Sequence, residues 1–125
     1  MPNAPKSSQF VVVLVTCPNR QAGETIGRTL VEERLAACAN VIPGVTSIYR
    51  WQGKVCRDRE VLLLIKTRRS RFAALTRRVQ DLHAYAVPEI VALSLHRLPP
   101  VSRLGAGRHG VTPPTIARLS RTAES

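Results

Sequence analysis

Apolar and polar positions along the chain fall into six periodic segments. Gln9 to Thr16 (Gln-Phe-Val-Val-Val-Leu-Val-Thr) is β-branched and almost continuously apolar, the pattern of a strand covered on both faces. Cys17-Pro18-Asn19 ends it, because proline cannot donate to a ladder. From Arg20 to Ala37 the period lengthens: Ala22, Ile26 and Leu30 recur four apart, and Val31 and Leu35 widen the stripe. This predicts an amphipathic helix of about five turns with Asn19 as its cap. Gly23 and Gly27 each weaken that helix by up to ~1 kcal/mol. They share one face, where a sheet can approach closely.

Asn40 to Trp51 predicts a second strand, divided by Pro43-Gly44. Beyond the break, Val45, Ser47, Tyr49 and Trp51 occupy one face and Thr46, Ile48 and Arg50 the other. Gln52-Gly53 makes a tight turn, and Lys54 to Thr67 returns as a third strand ending in Val61-Leu62-Leu63-Leu64-Ile65. The hairpin is longer than one small domain needs. A projecting arm with Tyr49 and Trp51 on one face commonly pairs with another subunit. Ser70 is placed to cap a second helix, Arg71 to Leu82, whose apolar positions are Phe72, Leu75, Val79 and Leu82. Arg69, Arg71, Arg77 and Arg78 form its solvated side. His83 to Pro88 is a loop, and Glu89 to Leu95 a fourth strand.

The order β-α-β-β-α-β predicts an α+β, ferredoxin-like domain with a four-stranded antiparallel sheet and both helices on one face. Residues 10–96 form this domain, after a flexible stretch 1–9. From His96 the character changes: Pro99-Pro100, Pro113-Pro114, three glycines, one acid and no aromatic residue. Residues 97–125 read as an irregular tail, or as the product of a reading-frame shift near His96 in a GC-rich gene.

Composition changes this picture little. With 125 residues, 44% of them hydrophobic, the chain is one globular domain. No apolar run approaches the ~18–20 residues that cross a bilayer, and Met1 to Gln9 has no apolar signal region. The expectation is a cytoplasmic protein without a membrane partner. The net charge of +11 draws attention to anionic partners. However, 16 of the 19 basic residues are Arg, as a GC-rich genome also produces, and five lie in the tail. An RNA-binding sheet of this topology stacks bases on aromatics in its central strands. Here the first has only Phe10 and Val61 to Ile65 has none, so a nucleic-acid partner is not expected. Three cysteines, Cys17, Cys38 and Cys56, with no C-x-x-C, fit neither a structural zinc site nor a disulfide framework.

Several segments together resemble the CutA divalent-cation-tolerance family. They are Leu35-Ala36-Ala37-Cys38-Ala39-Asn40-Val41-Ile42-Pro43-Gly44-Val45-Thr46-Ser47-Ile48-Tyr49, Trp51-Gln52-Gly53-Lys54-Val55, Glu60 to Thr67, and His83-x-Tyr85-x-x-Pro88-Glu89-Ile90. The resemblance covers Phe10 to Leu95. It implies a homotrimer built through the long hairpin arms, a cytoplasmic location in bacteria, and a role in tolerance of copper and other divalent metals. Two departures stand out: Ala84 replaces the family's usual proline between His83 and Tyr85, and nothing after Leu95 matches the family's C-terminal strand and helix.

Chemistry then concentrates on Cys17, His83 and Glu89. A thiolate, an imidazole and a carboxylate together suit Cu(II), or Zn(II) less selectively, and the topology can bring all three to one edge of the sheet. The resemblance places a metal-binding cysteine of some members at Val15 here; Cys17 shares its strand face, displaced by ~7 Å. The plainer account makes Cys17 a strand-end packing residue, His83 a helix C-cap and Glu89 a subunit salt bridge. Asn40, Lys66, Tyr85 and Pro88 fall in the matching blocks and would line an inter-subunit cleft for a small anion or signalling ligand, while Tyr49 and Trp51 would make trimer contacts. No organic cofactor is implied. No Ser-His-Asp pattern or phosphate loop is legible, so an enzyme is not expected; the remaining catalytic alternative is acid–base chemistry by His83 and Glu89.

Overall fold

A computed structural model describes residues 9–96. The elements are β1 (Phe10–Cys17), α1 (Arg20–Glu32), β2 (Cys38–Trp51), β3 (Lys54–Arg68), α2 (Phe72–Leu82) and β4 (Ile90–Leu95), with a 3-10 turn at Arg69–Arg71 before α2. The sheet order is β2-β3-β1-β4, and every pair is antiparallel. This is the ferredoxin-like arrangement.

Alternation along the two central strands sorts the side chains. Val11, Val13, Val15 and Cys17 of β1 and Val61, Leu63, Ile65 and Thr67 of β3 point to one face and are buried. There Ile26 and Leu30 of α1 and Leu75 and Val79 of α2 complete the core. Fully burying each such side chain stabilises by about 1.5–3 kcal/mol. The α1 glycines allow the close approach: a Cβ at Gly27 would lie 3.1 Å from Ala39 Cβ, and one at Gly23 3.3 Å from Val61 Cγ1.

Helix α1 starts as expected, with Asn19 Oδ1 accepting from the Ala22 N–H at 2.8 Å. It ends a turn early, at Glu32. Arg34 adopts a left-handed conformation (φ 62°), and Leu35 and Ala36 donate back to the Leu30 carbonyl. The buried Thr67 hydroxyl then donates to the Leu35 carbonyl at 2.7 Å, fastening this connection to β3. Ser70 is not a cap: it lies within the 3-10 turn, and Arg71 precedes α2 without a side-chain cap bond. Strand β2 starts at Cys38, two residues earlier than the periodicity suggests, because the Cys38–Lys66 and Ala39–Ile65 pairs extend the ladder.

The register shift between Ile42 and Val45 reverses the parity of β2. In consequence the face bearing Cys38, Asn40 and Ile42 continues through Val45, Ser47, Tyr49 and Trp51. Opposite them on β3 run Lys66, Leu64, Leu62, Glu60, Asp58, Cys56 and Lys54. Val12, Leu14 and Thr16 of β1 and Val91 and Leu93 of β4 complete this second face. Among the described elements no helix packs on it; Val91 and Leu93 remain 44% and 56% exposed. The flexible start expected at 1–9 and the irregular tail expected at 97–125 fall on residues 1–8 and 97–125, which lie outside the described residues.

Candidate functional site

The end of the sheet where β1 meets the hairpin arm collects most of the expected site residues. Cys17 closes β1, opposite Val61. Its side chain turns to the helix-covered face and is fully buried. Burial, with a smaller contribution from the charge on Glu60, pushes its thiol up to about 11. A thiol so placed is a packing group rather than a metal-binding thiolate.

His83 follows α2 directly and is also buried. Its Nδ1 accepts from the Tyr85 N–H at 3.0 Å, so the proton belongs on Nε2, which donates to the Thr16 carbonyl at 2.7 Å. Both ring nitrogens are engaged within the protein. The ring also sits 4.7 Å, centroid to centroid, from Tyr85. Glu89, in contrast, is exposed, at the end of the loop before β4. The structure sets the three expected ligands Cys17, His83 and Glu89 in different surroundings: the thiol faces the core, the imidazole is hydrogen-bonded at both nitrogens and the carboxylate is exposed, and among the described residues no three His, Cys, Asp or Glu side chains are clustered to hold a metal ion.

The alternation of β3 instead assembles an acidic, aromatic cavity of about 820 Å³ beside these residues. Asp58, Glu60 and Glu89 line it with Tyr49, Trp51, Tyr85 and Thr16. Tyr85 Oη donates to Glu60 Oε2 at 2.7 Å, and Tyr49 Oη donates to Asp58 Oδ2. Burial and then the Glu60 bond push the Tyr85 phenol well above its ordinary range. The Asp58 bond, with burial second, pushes Tyr49 up to about 12. Asp58 and Glu60 were not singled out from the sequence. The signal was present: in Arg57-Asp58-Arg59-Glu60 strict alternation sends both acids to the face of Tyr49 and Trp51.

Asn40 and Lys66 meet at the other end of the open face, where Lys66 Nζ donates to Asn40 Oδ1 at 2.6 Å. Lys66 lies six residues from Glu60 along β3, about 20 Å at strand rise, and Tyr85 is bonded to Glu60. Within one chain Asn40 and Lys66 thus do not share a cleft with Tyr85 and the adjoining Pro88.

Sequence and structure comparisons bear directly on this architecture. A family model described as CutA1 divalent ion tolerance protein matches residues 11–100. The divalent-cation tolerance protein CutA of Thermus thermophilus is 58% identical over 84 residues, covering 67% of this chain and 82% of that protein. The chloroplastic protein CutA of Arabidopsis thaliana is 47% identical over 95 residues; this chain spans 76% of its own length but about half, 52%, of that relative. The crystal structure of CutA1 from Oryza sativa superposes with a TM-score of 0.75 at 38% identity, covering 93% of this chain and 94% of the other. The chain belongs to the CutA1 divalent ion tolerance family.

Proposed function

We propose that the chain works as a homotrimer that binds divalent cations, Cu(II) foremost, in metal-ion tolerance, as a cytoplasmic binding protein and not as an enzyme. The observation that carries the reading is the sheet's second face. Val12, Leu14, Ile42, Leu62, Leu64, Val91 and Leu93 form an apolar surface that no described element covers. Continuous apolar patches of this kind mark interfaces. The front of the hairpin arm, with Tyr49 and Trp51, continues that surface outward, and Trp51 is 62% exposed. The family's description as divalent ion tolerance proteins supports the cation.

For the cation, the carboxylates that line the cavity, Asp58, Glu60 and Glu89, are better donors than the Cys17–His83–Glu89 set, although among the described residues of one protomer they are not clustered as a metal site and an ion would have to draw them together. Oxygen donors accept many divalent ions, and Cu(II) heads the affinity order at nitrogen and oxygen sites. His83 joins only by giving up the bond at Nδ1 or Nε2. Native mass spectrometry with and without Cu(II) tests both halves of the proposal. The expected result is a trimer gaining about one copper per chain, as rotational symmetry requires of equivalent sites. Gain should be reduced in Glu89→Gln and unchanged in Cys17→Ser. A trimer taking up no copper would overturn the cation and keep the assembly; a monomer would overturn both.

A second reading, binding of a small anion or signalling ligand, is favoured by Lys66. Lys66 stands on the open face between Val12 and Cys38, with Asn40 as its hydrogen-bond partner and no carboxylate ion pair among the described residues.

A further inference from the structure

The two faces of the hairpin arm carry opposite charge. Successive residues of a strand point to opposite sides, so Asp58 and Glu60 go to the front with Tyr49 and Trp51. Arg57 and Arg59 go to the back. The register sets Arg50 opposite Val55, Ile48 opposite Arg57 and Thr46 opposite Arg59. The back of the arm thus presents Arg50, Arg57 and Arg59, separated only by Ile48, Val55 and Thr46. Arg57 and Arg59 lie ~7 Å apart along the strand, and Arg50 is the diagonal neighbour of Arg57 at ~7–8 Å.

All three arginines are exposed. None has an ion-pair or hydrogen-bond partner among the described residues, where Arg20–Glu24 and Arg78–Glu33 are the ion pairs. Like charges this close repel, and the strand's own acids are held on the wrong side to relieve them. Ile48 and Val55, each 69% exposed, offer no acceptor. What neutralises three adjacent guanidinium forks best is a run of phosphates, which each fork can take with two parallel hydrogen bonds. The back of the arm has no aromatic ring on which a base could stack, so bases would add nothing to binding. We infer that the back of the hairpin arm, Arg50, Arg57 and Arg59, is a docking surface for a bare phosphate chain, inorganic polyphosphate. This surface lies opposite the face used in the proposed assembly and cation site, and stands independently of them.

The test titrates the full chain with labelled short-chain inorganic polyphosphate over a salt series, comparing two charge-matched variants. Arg57→Gln/Arg59→Gln removes two charges from the arm; Arg28→Gln/Arg77→Gln removes two exposed charges from the helices. The arm variant should weaken binding by about tenfold or more and flatten the log–log salt dependence by about 1.4, two lost contacts at roughly 0.7 each. The helix variant should change affinity by no more than about twofold, since it loses only long-range attraction. Equal weakening in both variants would overturn the surface in favour of bulk attraction to net positive charge. Absence of saturable binding would overturn it outright. Single-stranded DNA of equal phosphate number binding as tightly, with the same loss in the arm variant, would replace polyphosphate by nucleic acid as the occupant. Thermal unfolding and native mass of each variant show that fold and assembly persist; should the double arm variant fail there, Arg50→Gln alone carries the comparison, with an expected loss of about threefold.

Discussion

Cys17 and His83 look alike as candidate ligands and both are buried, yet one packs in the core while the other is hydrogen-bonded at both ring nitrogens. Cys17 is fully buried against the helix layer and its thiol is pushed up to about 11 from an ordinary 9.0. Iodoacetamide at neutral pH should therefore modify Cys38 and Cys56, which are partly exposed, well before Cys17, as peptide mapping would record. The same shift sets a pH dependence. The unfolded chain loses this proton first, so the contribution is fully present below about pH 9 and disappears as pH rises through about 11. Two units correspond to roughly 2–3 kcal/mol. Urea melts from pH 8 to 11 should show falling stability, and Cys17→Ala should flatten the lower part of that fall. The raised phenols of Tyr49 and Tyr85 act in the same direction at higher pH. His83 is different because it joins two segments: the end of β1 through Thr16 and the following loop through the Tyr85 N–H. His83→Ala leaves a carbonyl and an N–H without partners, at ~1–3 kcal/mol each. A loss of about 2–4 kcal/mol in urea unfolding is expected even without any metal.

At the scale of elements, the packing of α1 on β2 is set by hydrogen atoms where side chains would stand. Replacing Gly27 by Ala gains up to ~1 kcal/mol of helix propensity. Its Cβ would, however, meet Ala39 Cβ at 3.1 Å, and neither atom can rotate away. Overpacking of this kind costs about 1–3 kcal/mol, so Gly27→Ala should lower stability by about 1 kcal/mol. Gly23→Ala, which meets the Val61 methyl at 3.3 Å, should stay within about 0.5 kcal/mol. Thermal melts of the pair separate the two contacts. That both glycines face the sheet was legible from their spacing, as were the order of all six elements and the Asn19 cap. Such features depend on local chemistry. The end of α1 was not legible, because Leu35 continues the apolar stripe while Arg34 has already left the helical region. Ser70 misled for a related reason: it is a residue type favoured at caps, but the chain there makes a 3-10 turn. At the site, the two-residue period of β3 was readable and would have gathered Asp58 and Glu60 with the tyrosines. Whether Cys17 faces helix or solvent depended on which face α1 and α2 cover, a long-range outcome that no local pattern states.

For the whole molecule, the unresolved balance is between the covered and the open face of one sheet. The covered face holds the core described above. The open face carries four aliphatic side chains on the central strands, Val12, Leu14, Leu62 and Leu64, against six on the covered face, and is broken by Lys66 and Thr16. Leu64 sits in its middle, paired with Leu14 on one side and Asn40 on the other. On a solitary protomer Leu64→Lys would be mild, because the long side chain can lay its stem along the sheet and hold its charge in water. In a trimer assembled on this face the same substitution introduces one unpaired charge per subunit into a dehydrated contact. The effective penalty is several kcal/mol per ion. Light scattering on Leu64→Lys should therefore give a monomer mass, with far-UV circular dichroism retained. Persistence of a trimer would place the interface elsewhere, and the arm would then be the first region to test. Trp51→Ala separates the two contributions. It removes a large aromatic contact at the arm without adding charge, so it should raise the dissociation midpoint by tenfold or so while leaving each protomer's own core untouched.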